Sequence, residues 1–142
     1  MTNFSTSLLI NANQEAIWKV LSDVVCWHKW TPTVTKVEAI NTPELKLGNR
    51  YKVFQPKLQP TEWTVTELSK SNFKWEAKSL GMHMAADHIL QPVDAKQQTL
   101  LTLTFTFNGW LGRLIGDGYG KITKEYLQTE AQSLKDKVEA AL

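Results

Sequence analysis

The sequence predicts an α+β fold in which a curved antiparallel sheet of six to seven strands carries its helices on one face. Two observations lead to this prediction. Apolar residues recur at helical spacing near the start of the chain and again from Trp110 to Leu142, whereas the segment between these regions alternates apolar and polar residues with period two. The chain has 142 residues, a length that suits one domain. We therefore expect a single domain over residues 1–142.

Composition narrows the class of protein and its partners. Hydrophobic residues at 42% and charged residues at 21% are typical of a globular domain, and the net charge of +2 is too small to favour nucleic-acid binding. Cys26 is the single cysteine, which excludes an intramolecular disulfide. There is no signal-peptide pattern and no run of about 18 apolar residues, so we expect a cytoplasmic protein without stable membrane insertion. We also expect a monomer or weak dimer without a cofactor.

The first 32 residues predict a strand followed by two helical segments. Residues 4–11 predict a strand, and Asn13 supplies a side chain suited to capping the helix that follows. The apolar stripe of this helix consists of Ile17, Val20, Leu21 and Val24. Pro32 disfavours the helical conformation at Thr31, so a second, short helical segment is expected to end there.

Six segments after Pro32 alternate with period two and predict further strands. They are VTKVEAI, RYKVFQP, EWTVTEL, NFKWEAKS, HMAADHILQP and TLLTLTFTF. In the fourth, Phe73, Trp75 and Ala77 share one face while charged residues occupy the other, as expected for a half-buried antiparallel strand. A long helix follows from Trp110 to Leu142, and a helix lying across such a sheet naturally leaves a cavity.

Several motifs in this order resemble one superfamily. They are EAIWKVLSDVVCWHKWTP, LGNRYKV, FKWEA, HILQP, FNGWLGRLIG and LKDKVE, and together they cover nearly the whole chain. The sequence is similar to the SRPBCC superfamily of START-like proteins, specifically its polyketide cyclase/dehydrase and lipid-transport branch. This resemblance implies a helix-grip fold: a curved antiparallel sheet wrapped around a long C-terminal helix, with two short helices after the first strand and a deep apolar cavity. It leaves the ligand open, since the superfamily includes both carriers and cyclases.

The segment VVCWHKWTP contains a cysteine and a histidine, a combination that suggests a nucleophile or a metal site. On a helix, Cys26 and His28 would point about 200° apart, and no third group is present to orient them. Trp27 and Trp30 share one helical face and match the Trp-x-x-Trp-x-Pro corner of the helix-grip family. We expect Trp30 to anchor that corner and Trp27 to line one end of the cavity as well.

A metal site is not expected from the remaining histidines. His83 and Asp87 share a face of one strand, but their Cα atoms would be about 13 Å apart, too far to bind one ion. His83 and His88 have opposite parity and would point to opposite faces. His88 instead shares its parity with Met84 and Leu90, so its imidazole is predicted to point inward, either as a core histidine or as a polar anchor for a ligand.

The leading hypothesis is the binding of a small hydrophobic ligand, such as a lipid, a polyketide or an aromatic metabolite, in an internal cavity. The residues predicted to line it are Trp27, Trp63, Phe73, Trp75, Met84, His88, Leu103, Phe105, Ile115, Tyr119, Ile122 and Tyr126. The alternative is a cyclase or dehydratase that uses His88 with Tyr126 or Glu67 as an acid–base partner. A segment from Gly112 to Gly120, with three glycines four residues apart, is a candidate gate at the cavity mouth, the alternative being a packing or loop role.

Overall fold

The structure, a computed structural model, describes residues 2–79, 81–93 and 97–142, and for residues 2 and 110–119 it describes the backbone alone. The described strands, in chain order, are β1 (Thr2–Ile10), β2 (Lys36–Ala39), β3 (Arg50–Phe54), β4 (Thr61–Leu68), β5 (Asn72–Ser79), β6 (Met82–Val93) and β7 (Gln98–Asn108). The helices are α1 (Gln14–Leu21), a 3₁₀ helix (Val24–Lys29) and α2 (Trp110–Ala140).

The connection between β1 and β2 contains the two short helices. Asn13 is the N-cap of α1, and its side-chain oxygen accepts a hydrogen bond from the Ala16 amide at 2.9 Å, as the sequence predicts. The second helical segment has 3₁₀ geometry, in which residues three apart lie above one another. Trp27 and Trp30 accordingly pack together, with ring centroids 5.8 Å apart.

The strands form one antiparallel sheet with the order β1-β7-β6-β5-β4-β3-β2. Strands β2 to β7 are successive neighbours, while β1 lies beside β7, so the first and last strands of the chain are paired. The alternation in the sequence becomes alternation of burial: in β5, Phe73, Trp75 and Ala77 are buried while the residues between them are partly exposed. One face of the sheet therefore carries the apolar residues predicted for it.

The helices cover that apolar face. Helix α2 packs through a buried stripe between Thr123 and Val138 and contacts β1, β7 and α1. The residues of this stripe are Thr123, Leu127, Ala131, Leu134 and Val138. Gly120 allows a close approach between α2 and β1, because a Cβ atom there would lie 3.0 Å from the Phe4 ring.

The start of α2 depends on a second close approach. Gly109, its N-cap, has φ +110°, and a Cβ atom there would lie 2.2 Å from the Gly81 carbonyl oxygen. Only glycine fits a position that combines positive φ with such proximity. This contact joins the end of β7 to the start of β6 and determines where α2 leaves the sheet.

The predicted fold is confirmed. A curved antiparallel sheet, two short helices after the first strand and a long C-terminal helix are all present, and the strand boundaries agree with the alternating segments. Among the described residues, no helix combines the length and hydropathy that a membrane span requires.

Candidate functional site

A cavity of about 550 Å³ lies between the sheet and α2. Residues from β3 to β7, the 3₁₀ helix and α2 line it, together with the loop between β3 and β4. Its volume falls within the usual range for small-molecule sites, about 300–1,000 Å³. The cavity has the position that the sequence predicts for it, between the sheet and the long C-terminal helix.

Tryptophan side chains form one wall of the cavity. Trp75 lies at the centre, with its ring centroid 5.2 Å from that of Trp27 and 5.7 Å from that of Trp63. Trp27 is held in place because its indole N–H donates to the Leu21 carbonyl at 2.9 Å. The three rings are at most 5% exposed, so the wall is a rigid apolar surface.

The mouth of the cavity is bordered by residues 55–62 and by Tyr126 of α2. The hydroxyl of Tyr126 donates a hydrogen bond to the Pro56 carbonyl and ties α2 to the β3–β4 loop. Burial, followed by the charge of Glu125, raises the pKa of Tyr126. Its proton is thus engaged by the loop, which argues against Tyr126 as the acid–base partner of His88.

His88 points into the cavity from β6, as its parity predicts. The Phe73 ring stacks on the imidazole at a centroid distance of 4.5 Å and an interplanar angle of 8°. Nδ1 lies 2.9 Å from the Phe73 carbonyl oxygen. Burial lowers the pKa of His88 to about 4, against the opposing effect of this hydrogen bond, so the ring is neutral at physiological pH.

Glu130 of α2 lies next to His88 in the cavity lining and is not among the residues predicted from the sequence. Its side chain is only 12% exposed, and Oε1 lies 3.8 Å from His88 Nε2. Burial raises the pKa of Glu130 to about 7. At neutral pH the two groups are therefore not an ion pair: His88 is uncharged, and Glu130 is protonated in about half of the molecules.

A signal for Glu130 is present in the sequence. Glu130 follows Tyr126 by four residues and Leu127 by three, so it lies on the same helical face as both. It also precedes Ala131, which belongs to the buried stripe of α2. A carboxylate on the buried face of a helix is unusual, and this makes it a candidate for function.

Glu67, the other acid–base partner considered for His88, does not line the cavity. The pairing of β4 with β5 passes from Val65↔Trp75 to Glu67↔Lys74, so Thr66 is an extra residue, a β-bulge. The bulge turns Glu67 to the outer face, where its carboxylate lies 3.3 Å from the Lys74 ammonium. Glu67 is therefore not a partner for His88.

The other predicted residues fall into three groups. Eight line the cavity: Trp27, Trp63, Trp75, Met84, His88, Leu103, Phe105 and Tyr126. Phe73 is buried behind the wall against His88, and Ile122 is partly buried but is not part of the lining. The side chains of Ile115 and Tyr119, with most of the Gly112–Gly120 segment, lie outside the described residues, and the gate stays a prediction.

Cys26 and His28 are not part of the site. Neither lines the cavity, and His28 is exposed. Hydrogen bonding to Asp23, with burial as a second cause, raises the pKa of the Cys26 thiol. A protonated thiol is a poor nucleophile, so the structure favours the interpretation of this segment as a corner of the fold.

Comparisons with known proteins identify the family and the fold. The family model described as "Polyketide cyclase / dehydrase and lipid transport" matches residues 1–139. A comparison with the curated proteins finds no match.

Solved structures with the same architecture share little sequence with this chain. A hypothetical protein from Helicobacter pylori has a TM-score of 0.83 at 12% identity, covering 96% of this chain and 88% of that one. A START superfamily protein from Mycobacterium smegmatis has a TM-score of 0.77 at 15% identity, covering 99% of both chains. The Zhui aromatase/cyclase from Streptomyces sp. R1128 has a TM-score of 0.74 at 17% identity, covering 97% of this chain and 93% of that one. At such identities the likeness shows the fold alone.

Proposed function

This chain belongs to the polyketide cyclase/dehydrase and lipid transport family, and from that premise we propose that it binds a small hydrophobic molecule in the cavity between the sheet and α2. The proposed ligand classes are lipids, polyketides and aromatic metabolites. The observation that carries the proposal is the cavity of about 550 Å³ with its wall of three tryptophans. Apolar walls of this kind gain free energy by removing ligand surface from water, about 25 cal/mol per Å².

The distribution of polar groups supports binding of an apolar molecule. The interior lining consists mainly of aromatic, methionine and leucine side chains, while lysine, glutamine and glutamate side chains from residues 55–62 surround the mouth. Inside the cavity, burial shifts the pKa values of His88 and Glu130 towards the neutral forms of these side chains. A ligand can thus enter a largely uncharged interior through a polar rim.

Native mass spectrometry of freshly purified protein, followed by titration of a lipid and polyaromatic library, tests the proposal. Three tryptophans line the cavity, so a bound ligand is expected to change the intrinsic fluorescence. The absence both of a co-purified ligand and of any fluorescence response across the library would contradict the binding function.

A matched pair of variants locates the binding. Ala86 lines the cavity opposite Trp75 and Phe105, and Ala86→Trp fills the space and is expected to weaken binding about tenfold or more. Ala85 is its neighbour on the opposite face of β6, so Ala85→Trp is the control and should leave the affinity unchanged. Calorimetric titration measures both, and circular dichroism verifies that each variant is folded. If Ala86→Trp and Ala85→Trp bind the ligand with equal affinity, the ligand binds outside the cavity.

The His88–Glu130 pair favours a second function, a dehydratase or cyclase activity on a β-hydroxy carbonyl compound. In this reaction His88 Nε2 would remove the proton next to the carbonyl, and the protonated Glu130 would donate its proton to the hydroxyl that leaves as water. A carbon–carbon double bond forms, and atoms and charge balance.

Incubation with a β-hydroxy aryl ketone and detection of the conjugated product by its absorbance tests this second function. Glu130→Gln, which cannot donate a proton, should abolish turnover, and recovery of unchanged compound from the wild type would leave binding as the function. Glu67→Gln removes an exposed carboxylate on the outer face and is the matched control.

A further inference from the structure

We propose that the cavity recognises a hydroxyl group of its ligand, an alcohol or a phenol, and holds it between His88 Nε2 and Glu130 Oε1. This inference rests on the proposed binding function and adds a ligand class to it. It follows from the tautomer of His88, from the distance between the two groups and from their surroundings.

The tautomer of His88 is determined by its backbone contact. A carbonyl oxygen only accepts, so the hydrogen bond to the Phe73 carbonyl requires Nδ1 to carry the proton. In a neutral imidazole the other nitrogen then has a lone pair and no proton. Nε2 therefore faces the cavity as an acceptor and needs a donor from the ligand.

Glu130 supplies the complementary group. Burial raises its pKa to about 7, so below that pH its carboxyl carries a proton and can donate. Nε2 and Oε1 are 3.8 Å apart, beyond direct hydrogen-bond distance. An oxygen atom placed about 2.8 Å from both would see them at an angle of about 85°, so one hydroxyl can donate to His88 and accept from Glu130.

Aromatic rings restrict access to His88 and leave its Nε2 edge for the ligand. Phe73 covers one face of the imidazole, and the Trp27 centroid lies 5.5 Å from that of the imidazole. In such an apolar surrounding a hydrogen bond is stronger than in water, and an unpaired polar group is correspondingly costly. The pair should therefore discriminate sharply between ligand groups.

Three other ligand groups fit less well. A carbonyl accepts from Glu130 but leaves Nε2 without a donor, and a hydrocarbon leaves both groups unpaired. A carboxylate brings a negative charge into an apolar interior and has no proton for Nε2. A hydroxyl satisfies both partners and stays neutral.

The test uses three probes of similar shape, para-pentylphenol, para-pentyltoluene and para-pentylbenzoate, titrated calorimetrically at about pH 6. The measured quantity is the hydroxyl preference, defined as the Kd of the toluene divided by the Kd of the phenol. The preference of the wild type is then divided by the preference of each variant. Because the two probes differ in hydration free energy by the same amount in every titration, this difference cancels in the quotient. Glu130→Leu and His88→Phe should each lower the preference about tenfold.

Two further variants serve as controls. Glu130→Gln should retain most of the preference, because an amide both donates and accepts. Glu67→Leu changes an exposed carboxylate and should have no effect. The wild type should also bind the phenol about tenfold or more tightly than the benzoate.

The outcomes separate this inference from the proposed function. If none of the probes binds the wild type although the lipid and polyaromatic library does, the hydroxyl inference is overturned while the binding function stands. If all three bind and the preference is equal in the wild type, Glu130→Leu and His88→Phe, the inference is again overturned. Should His88→Phe fail to fold by circular dichroism, Glu130→Leu against Glu67→Leu decides the question.

Discussion

Strand β6 carries two histidines, each beside a glutamate, and the two pairs behave in opposite ways. On the outer face, His83 Nε2 lies 2.7 Å from Glu76 Oε1, and the side chains are 35% and 25% exposed. On the inner face, His88 and Glu130 are 3.8 Å apart and only 5% and 12% exposed. The same two residue types thus form a close pair in contact with solvent and a separated pair in the cavity.

The charge states differ accordingly. Hydrogen bonding by Thr66, and then by His83, lowers the pKa of Glu76, whereas burial raises that of Glu130 to about 7. The outer carboxylate is stabilised as a charge, and the inner carboxyl is stabilised as an acid. Hydrogen bonds from its neighbours favour the charged form of the outer carboxyl, whereas exclusion of water favours the protonated form of the inner one.

The largest expected effect comes from Glu130→Gln. The pKa of Glu130 is raised from 4.5 to about 7, so its protonated form stabilises the fold below about pH 4.5, and this contribution is lost as the pH rises to about 7. Glutamine does not titrate. The free energy of unfolding of the variant minus that of the wild type should therefore rise by about 3 kcal/mol over this window. Urea denaturation at several pH values measures it, with Glu67→Gln as control, and a difference independent of pH would contradict the assignment.

His88→Asn should show how the same pair affects stability at acidic pH. Burial lowers the pKa of His88 from 6.5 to about 4, so the neutral ring stabilises the fold fully above about pH 6.5, and this stability is lost as the pH falls towards 4. The variant is destabilised overall by the lost stacking on Phe73. The difference in free energy of unfolding between the wild type and the variant should nevertheless shrink by about 2 kcal/mol as the pH falls from 6.5 to 5. A difference that stays constant would show that His88 is not held neutral.

The smallest effect is expected for the outer pair. Because the pKa of Glu76 is lowered, its carboxylate contributes stability above about pH 4.5, and the contribution disappears as the pH falls through the lowered pKa. Since both side chains of this pair are partly exposed, Glu76→Gln should cost about 0.5 kcal/mol at neutral pH and less in high salt. Thermal denaturation at low and high ionic strength measures this. If Glu76→Gln changed the free energy of unfolding by as much as is predicted for Glu130→Gln, the two faces of the sheet would not differ in this respect.

Local patterns in the sequence predict much of this molecule correctly. Strict alternation in NFKWEAKS predicts β5, Asn13 predicts the start of α1, and the parity of His88 predicts its inward direction. These features depend on neighbours within a few residues, for which periods of 2 and 3.6 hold well. The family resemblance adds the order of the elements and is confirmed over residues 1–139.

Features that depend on pairing between distant segments are not predicted. Parity places Glu67 beside Trp63 and Val65 on the inner face, but the bulge at Thr66 reverses its direction, and nothing in the local pattern indicates the extra residue. Glu130 lies on the buried face of α2 although a charged residue ordinarily marks the solvent side.

By itself the sequence determined the secondary structure, the apolar face of the sheet and the inward position of one histidine, because these follow from the periodicity of side chains along a strand or helix. Only the tertiary structure decided that the partner of His88 is Glu130, more than forty residues later in the chain. It also decided that the pKa values of both groups shift towards their neutral forms, since the free energy of a charge depends on how far the assembled sheet and helix exclude water from it.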